Sequence, residues 1–224
     1  MEEPPKRSVL DVINTLEANN ICRLIYFAGI ESRQQVLTFF NEYSTNSFFD
    51  RVTGLLLVYP TSVVHLVEAD EETIYTTCLD FIINRENGLA VCRCLPVHTT
   101  TTGRLFPRWF MREINPTNDC AVTEFTDVTE MKIFYFRLVD RLYKFYFELR
   151  SNTKNIEELK DKLDALSREN PGASIPSENL IKSLLKSTRG FELSDITENY
   201  WTGMREKEDI IWPIPDIGEP SISP

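Results

Sequence analysis

Between Arg51 and Ala69 the chain reads RVTGLLLVYPTSVVHLVEA, two runs of aliphatic and β-branched residues on either side of Pro60-Thr61. Two such runs around a tight polar break spell a β-hairpin, and Pro60 suits an early turn position. Whatever this chain folds into must therefore hold an antiparallel apolar pair near its middle. His65 stands inside the second run, an imidazole set into an otherwise apolar strand.

The flanking segments extend the hairpin into a sandwich. Residues Ile21 to Ala28 read as a buried strand ended by Gly29, and Ser32 with Gln35 forms a capping box ahead of a helix carrying Val36, Leu37, Phe40 and Tyr43. After the hairpin, Asp70-Glu71-Glu72 opens a third helix, with acids where a helix N-terminus favours them and Ile74, Cys78, Leu79 and Ile82 on its buried face. Leu89 to Val97 is a fourth strand, His98 to Gly103 a polar loop, and Leu105 to Ile114 a fifth strand with Phe106, Trp109 and Met111. The order predicts an α+β fold of the split βαβ, ferredoxin-like kind, a mixed five-stranded sheet with helices.

Around that core the chain divides into an N-terminal arm over 1–20 with a helix starting near Ser8, the sandwich over 21–117, a helical extension over 118–204 and an acidic Pro-rich tail over 205–224. Within the extension, Asp127 to Arg150 has more apolar residues than one stripe needs, so it is covered on two sides, by the open face of the sheet and by a partner. Ile156 to Asn170 and Ser177 to Leu185 are shorter amphipathic helices. Phe191 to Trp201 fits either a helix or an extended segment, and Arg205 to Pro224 reads as a docking tail with Trp212, Ile214 and Ile217 between prolines.

Charge and composition narrow the function classes. A net charge of -10 offers no basic field for phosphate backbones or anionic lipid, which leaves nucleic acid and membrane surfaces out and favours a protein partner. Five cysteines in a chain that opens MEEPPKRS, with no apolar leader and no run long enough for a bilayer, imply free thiols in a reducing, cytoplasmic setting. Cys92-x-Cys94-x3-His98 lacks a fourth ligand at matching spacing and reads as two core thiols. Glu68, Asp70, Glu71 and Glu72 read as a strand end and a helix start, and no expected metal site remains. Neither His65 nor His98 sits beside a nucleophile elbow, and no Gly-rich phosphate loop occurs, so no catalytic residue is expected.

The segments RLIYFAGI, VTGLLLVYPTSVVHLVEA and RLFPRWFM, in this order and spacing, resemble the BLUF (blue light using flavin) domain, over roughly Cys22 to Ile114. In that family the first strand carries a tyrosine, the second reads ITGLLLY, the third FLQVLEG, and the fifth ends in FxxWxM. The resemblance implies a ferredoxin-like BLUF sandwich. It also implies a flavin site in which Tyr26 matches the photoactive tyrosine, Trp109 and Met111 the fifth-strand pair, and Ser47 the flavin-contacting asparagine, with Asn46 beside it. Arg104 and Phe106 match positions ahead of that pair. The family's glutamine, whose amide rearranges its hydrogen bonds on illumination, is His65 here, and the glycine after the glutamate is Ala69. An imidazole cannot offer a donor and an acceptor on one pivoting group as an amide does. With two flavin-orienting positions changed and no basic residue expected near the acidic start of the third helix, the expected cofactor is none.

Three readings follow. The first is a non-enzymatic interaction or scaffold protein, binding protein partners through the Asp127–Arg150 helix and the Arg205–Pro224 tail. The alternative is a sensor binding FAD or another small ligand around Tyr26, Ser47, His65, Trp109 and Met111. An acylphosphatase-like enzyme would need an arginine cradle after the first strand, where the loop reads Gly29-Ile30-Glu31-Ser32-Arg33. For His65 the plain expectation is a core histidine bonded through one nitrogen to a neighbour such as Tyr26.

Overall fold

In the computed structural model the described residues are 21–44, 51–78, 83, 86–94, 98–101, 103–115, 122, 124–125, 127–168, 175–187, 191–195 and 198. The helix expected from Ser8, the positions Asn46 and Ser47, Leu79, Ile82 and the tail Arg205 to Pro224 lie outside them.

The elements run β1 (Ile21–Ile30), α1 (Arg33–Ser44), β2 (Thr53–Val58), β3 (Ser62–Ala69), a π-helical segment (Thr73–Cys78), β4 (Leu89–Cys94), β5 (His98–Thr101), β6 (Trp109–Glu113), α2 (Val128–Ser151), α3 (Ile156–Arg168), α4 (Glu178–Lys186) and β7 (Phe191–Glu192). The sheet order is β6-β2-β3-β1-β4-β7, with β5 also on β1. β2 and β6 pair in parallel, and every other pairing among the described strands is antiparallel. β3 lies between β1 and β2, and β1 between β3 and β4, so both strand-helix-strand crossovers are split. That is the ferredoxin-like arrangement, extended at one edge by β6.

The expected five strands are all present, and the structure corrects their surroundings. His98–Thr101 is a strand, not a loop: β4 pairs β1 only from Tyr26 onward, and Thr99 and Thr101 take the ladder positions left at Cys22 and Ile21. Conversely, Leu105–Arg108 is bent backbone, not strand. There the N–H groups of Leu105 and Phe106 donate to the Glu68 carboxylate (2.8 and 3.1 Å), which removes them from any ladder. The third helix becomes π-helical from Thr73, after Asp70 Oδ1 accepts the Thr73 N–H at 2.8 Å. Gly54 has φ +145°, and a Cβ there would stand 2.0 Å from the Leu66 carbonyl oxygen, so only glycine fits.

Two cores flank the sheet. On one face Leu24, Tyr26, Leu56, Val63 and Val67 pack with Val36 and Phe40 of α1 and with Ile74. On the other Ile25, Phe27, Leu55, Leu57 and Leu66 pack with α2, α3 and α4. The sheet side of the two-sided cover expected for 127–150 is therefore present. α2 opens at Asp127, whose carboxylate accepts the Thr129 N–H, and it buries Met131, Tyr135, Leu138, Leu142, Phe145, Tyr146 and Leu149. The Tyr135 hydroxyl donates to the Ile25 carbonyl at 3.1 Å.

The hairpin turn is where α4 grips the sheet. The N–H and hydroxyl of Thr61 both donate to Glu178 Oε1, at 2.6 and 2.8 Å, and the Tyr59 hydroxyl donates to the Pro176 carbonyl at 2.9 Å. No helix among the described residues is long and apolar enough to cross a membrane.

Candidate functional site

Period-two alternation puts one row of side chains across the sheet. The register pairs Cys94 with Tyr26, Tyr26 with His65, His65 with Leu56, and Leu56 with Met111. Four consecutive strands thus set Tyr26, His65, Leu56 and Met111 side by side on the α1 face. Trp109 lies on the same face two residues before Met111, opposite Gly54. Of the five residues implied by the BLUF resemblance, Tyr26, His65, Trp109 and Met111 are brought together. Ser47 lies outside the described residues.

His65 is the hub. Its Nδ1 is 2.9 Å from the Tyr26 hydroxyl, and the Trp109 indole N–H donates to its Nε2 at 2.9 Å. An indole nitrogen can only donate, so Nε2 carries the lone pair. A neutral imidazole then bears its proton on Nδ1 and donates it to the Tyr26 oxygen. The ring is 2% exposed, and burial pushes its pKa down from 6.5 to about 3. It is therefore neutral at physiological pH and a poor proton acceptor for catalysis.

Phe40 of α1 closes the site from above. Its ring stands edge-on to His65 (centroids 5.7 Å apart) and stacks on Trp109 at 6.0 Å and 16°. The Tyr26–His65 contact was legible from the sequence as a cross-strand pair. The Trp109 bond was not, because it joins β3 to an edge strand whose register no hairpin sets.

Immediately beyond the row, on the opposite face, a second network surrounds Glu68, which has no exposed surface. Its carboxylate accepts from Arg23 Nε at 2.7 Å, from the Thr53 hydroxyl at 3.1 Å and from the Leu105 and Phe106 amides. Arg104, read as a position ahead of the fifth-strand pair, donates to the Glu68 and Arg51 carbonyls at 2.7 and 2.9 Å. Basic groups do therefore stand near the third helix start, contrary to the sequence expectation. At Asp70 burial raises the carboxyl pKa, but the Thr73 hydroxyl and N–H and then the Arg51 charge outweigh it, and the net shift is downward.

The thiols of β4 are inert by environment: burial, then the Glu192 charge, pushes Cys92 up to about 12, and burial pushes Cys94 higher still. Among the described residues no three His, Cys, Asp or Glu side chains gather as a metal would require. A cavity of about 190 Å³ lies between β4 and β7, lined by Asn87, Cys92 and Leu193 among others, and another of about 230 Å³ runs along α1 by Gln34, Thr38 and Glu42. Neither is lined by the Tyr26–His65–Trp109 group.

In this arrangement neither ring nitrogen of His65 is left over for a ligand. Both His65 nitrogens are engaged inside the protein, and Phe40 and Trp109 are buried against one another over the row. A ring brought to His65 would have to displace one of those aromatics and break a buried hydrogen bond.

The described residues thus form a split βαβ sandwich of the ferredoxin-like, BLUF-type fold, with a strand added parallel to β2 and with Tyr26, His65, Trp109 and Met111 on the face under α1. Among solved structures the chain is similar to a bacterial light-regulated adenylyl cyclase (18% identity, 66% of this chain and 39% of that one, TM-score 0.36). It is also similar to BlrB, a BLUF protein in its dark state (14%, 67% and 98%, 0.37), and to BlsA in its ground state (17%, 76% and 99%, 0.34). The chain thus spans well under half the length of the cyclase. The family model for testis-expressed protein 47 matches residues 21–201, and the chain belongs to that family.

Proposed function

We propose that this chain is a non-enzymatic interaction protein, a BLUF-like sandwich that works as a scaffold without flavin. The observation that carries the reading is the outer face of α2. While the inner face of that helix is buried on the sheet, Ile133, Phe136 and Phe147 stand 48%, 56% and 54% exposed on the other side. Large apolar side chains at helical spacing on a surface are what a protein partner covers. The Arg205–Pro224 tail supplies a second contact of the acidic, Pro-rich kind. Membership of a testis-expressed family makes a sperm or ciliary axonemal assembly in the cytoplasm or flagellum the fitting setting.

The test is proximity labelling in differentiating germ cells with wild type and with Phe136→Glu/Phe147→Glu. The reading expects a defined set of neighbours to be lost while the melting temperature is kept. An unchanged neighbour set counts against it. The second reading, a sensor for FAD or another small ligand at Tyr26, His65, Trp109 and Met111, is favoured by the way the register assembles those four side chains.

A further inference from the structure

We propose that the outer face of α2 pairs two copies of this chain, antiparallel, about a two-fold axis; the proposal rests on the interaction reading above and names the occupant. α2 carries two stripes. The inner one, Met131, Tyr135, Leu138, Leu142, Phe145 and Leu149, steps by four and three and is buried on the sheet. The outer one, Ile133, Phe136, Asp140, Phe147 and Arg150, with Tyr143 at its edge half-buried against the chain's own core, steps by three and four, the spacing of a helix–helix seam. Over this outer stripe the helix is open to water at its three largest aliphatic and phenyl positions.

Charge selects the orientation and with it the occupant. With the two-fold axis between Arg141 and Leu142, Phe136 of each copy meets Phe147 of the other, and Ile133 packs on the aliphatic stem of the opposing Arg150. Asp140 then faces Tyr143 and Lys144 of the second copy. Lys144 Nζ already lies 2.7 Å from Asp140 Oδ2 within one chain, with the two side chains 71% and 63% exposed. Each Asp140 can therefore exchange its own lysine for the other copy's, and no charge is stranded. A parallel pairing would instead set Asp140 on Asp140 and Arg150 on Arg150, like on like. The stripe is thus self-complementary in one orientation only, as a two-fold contact requires. From Ile133 to Arg150 it runs about 26 Å at the rise of an α-helix, a short seam that makes the pairing reversible.

Sedimentation velocity of the full chain over a concentration series tests this. The weight-average mass is expected to climb from 26.0 kDa toward twice that value, and Phe136→Glu or Phe147→Glu to hold it at 26.0 kDa with an unchanged circular dichroism spectrum. Asp140→Lys weakens pairing severalfold, and Asp140→Lys with Lys144→Asp restores it. Phe136→Cys with Phe147→Cys gives an oxidised covalent dimer that Phe136→Cys alone does not. A mass of 26.0 kDa at every concentration, or a dimer indifferent to Phe136→Glu, overturns the proposal. In that event an environment-sensitive apolar dye separates the two readings. Binding to wild type and not to Phe136→Glu/Phe147→Glu keeps the face as a docking site for a different protein, whereas no binding removes the interaction reading as well.

Discussion

Replacing His65 by Leu should change how the stability of this protein depends on pH more than it changes the fold. In the folded chain the imidazole is buried between Tyr26 and Trp109 with its pKa pushed down to about 3, while in the unfolded chain it returns to its ordinary 6.5. Between those values the unfolded state binds a proton that the folded state does not, so stability falls as pH falls through that window. The loss is fully avoided above 6.5 and complete only below about 3. From about pH 7 to about pH 5 the histidine alone should remove about 2 kcal/mol, since each pH unit over which only the unfolded state holds the proton is worth about 1.4 kcal/mol. His65→Leu removes the titrating group, and with it that slope, although it leaves the Trp109 N–H without its acceptor and lowers stability at every pH. Urea denaturation of both proteins across this range, with carboxylate contributions common to both, gives the difference directly. Parallel stability–pH curves would defeat this prediction, because they would mean that His65 titrates normally and is therefore not enclosed.

Three other substitutions address the same construction. Glu68→Ala strands the largely buried Arg23 guanidinium and two buried amides, and is expected to cost about 3–5 kcal/mol in a denaturant midpoint series. Gly54→Ala forces a Cβ against the Leu66 carbonyl at a positive φ and should prevent recovery of soluble, cooperatively melting protein; a thermal melt indistinguishable from wild type would contradict the backbone conformation at this position. Tyr146→Phe removes a buried hydroxyl that has no hydrogen-bond partner among the described residues, so calorimetry should show unchanged or slightly raised stability, within about 1 kcal/mol.

The sheet was legible because its strands announce themselves locally. The VTGLLLVYPTSVVHLVEA hairpin, the β1 run and the Asp70 helix start each follow from residues close in sequence, and their alternation fixed which of them face α1. What escaped was set by long-range geometry. The threonines of His98-Thr99-Thr100-Thr101 suit a strand, but so polar a run reads equally as a loop; it pairs because β4 reaches β1 only from Tyr26 onward and leaves that edge of β1 open at Ile21 to Arg23. Leu105 and Phe106 look like strand residues until the Glu68 carboxylate, 37 positions away from Leu105, captures their amides. At the candidate site, residue identity already exposed the change from amide to imidazole at position 65. The closure of the site did not follow from it, because the Trp109–His65 bond and the Phe40–Trp109 stack depend on how β6 and α1 sit on the sheet. The second stripe of α2 was visible as an excess of apolar residues, and only the structure separated the half that faces the sheet from the half that faces out.

A scaffold role without flavin stands or falls on the Tyr26–His65–Trp109 group being closed. The visible absorption spectrum of the full chain as expressed, followed by thermal melts with FAD and FMN added in excess, decides it. No flavin band is expected, and no shift in melting temperature beyond the scatter of replicates. A stoichiometric flavin band, or a saturable stabilisation by either cofactor that Trp109→Ala abolishes, would show the group to be open.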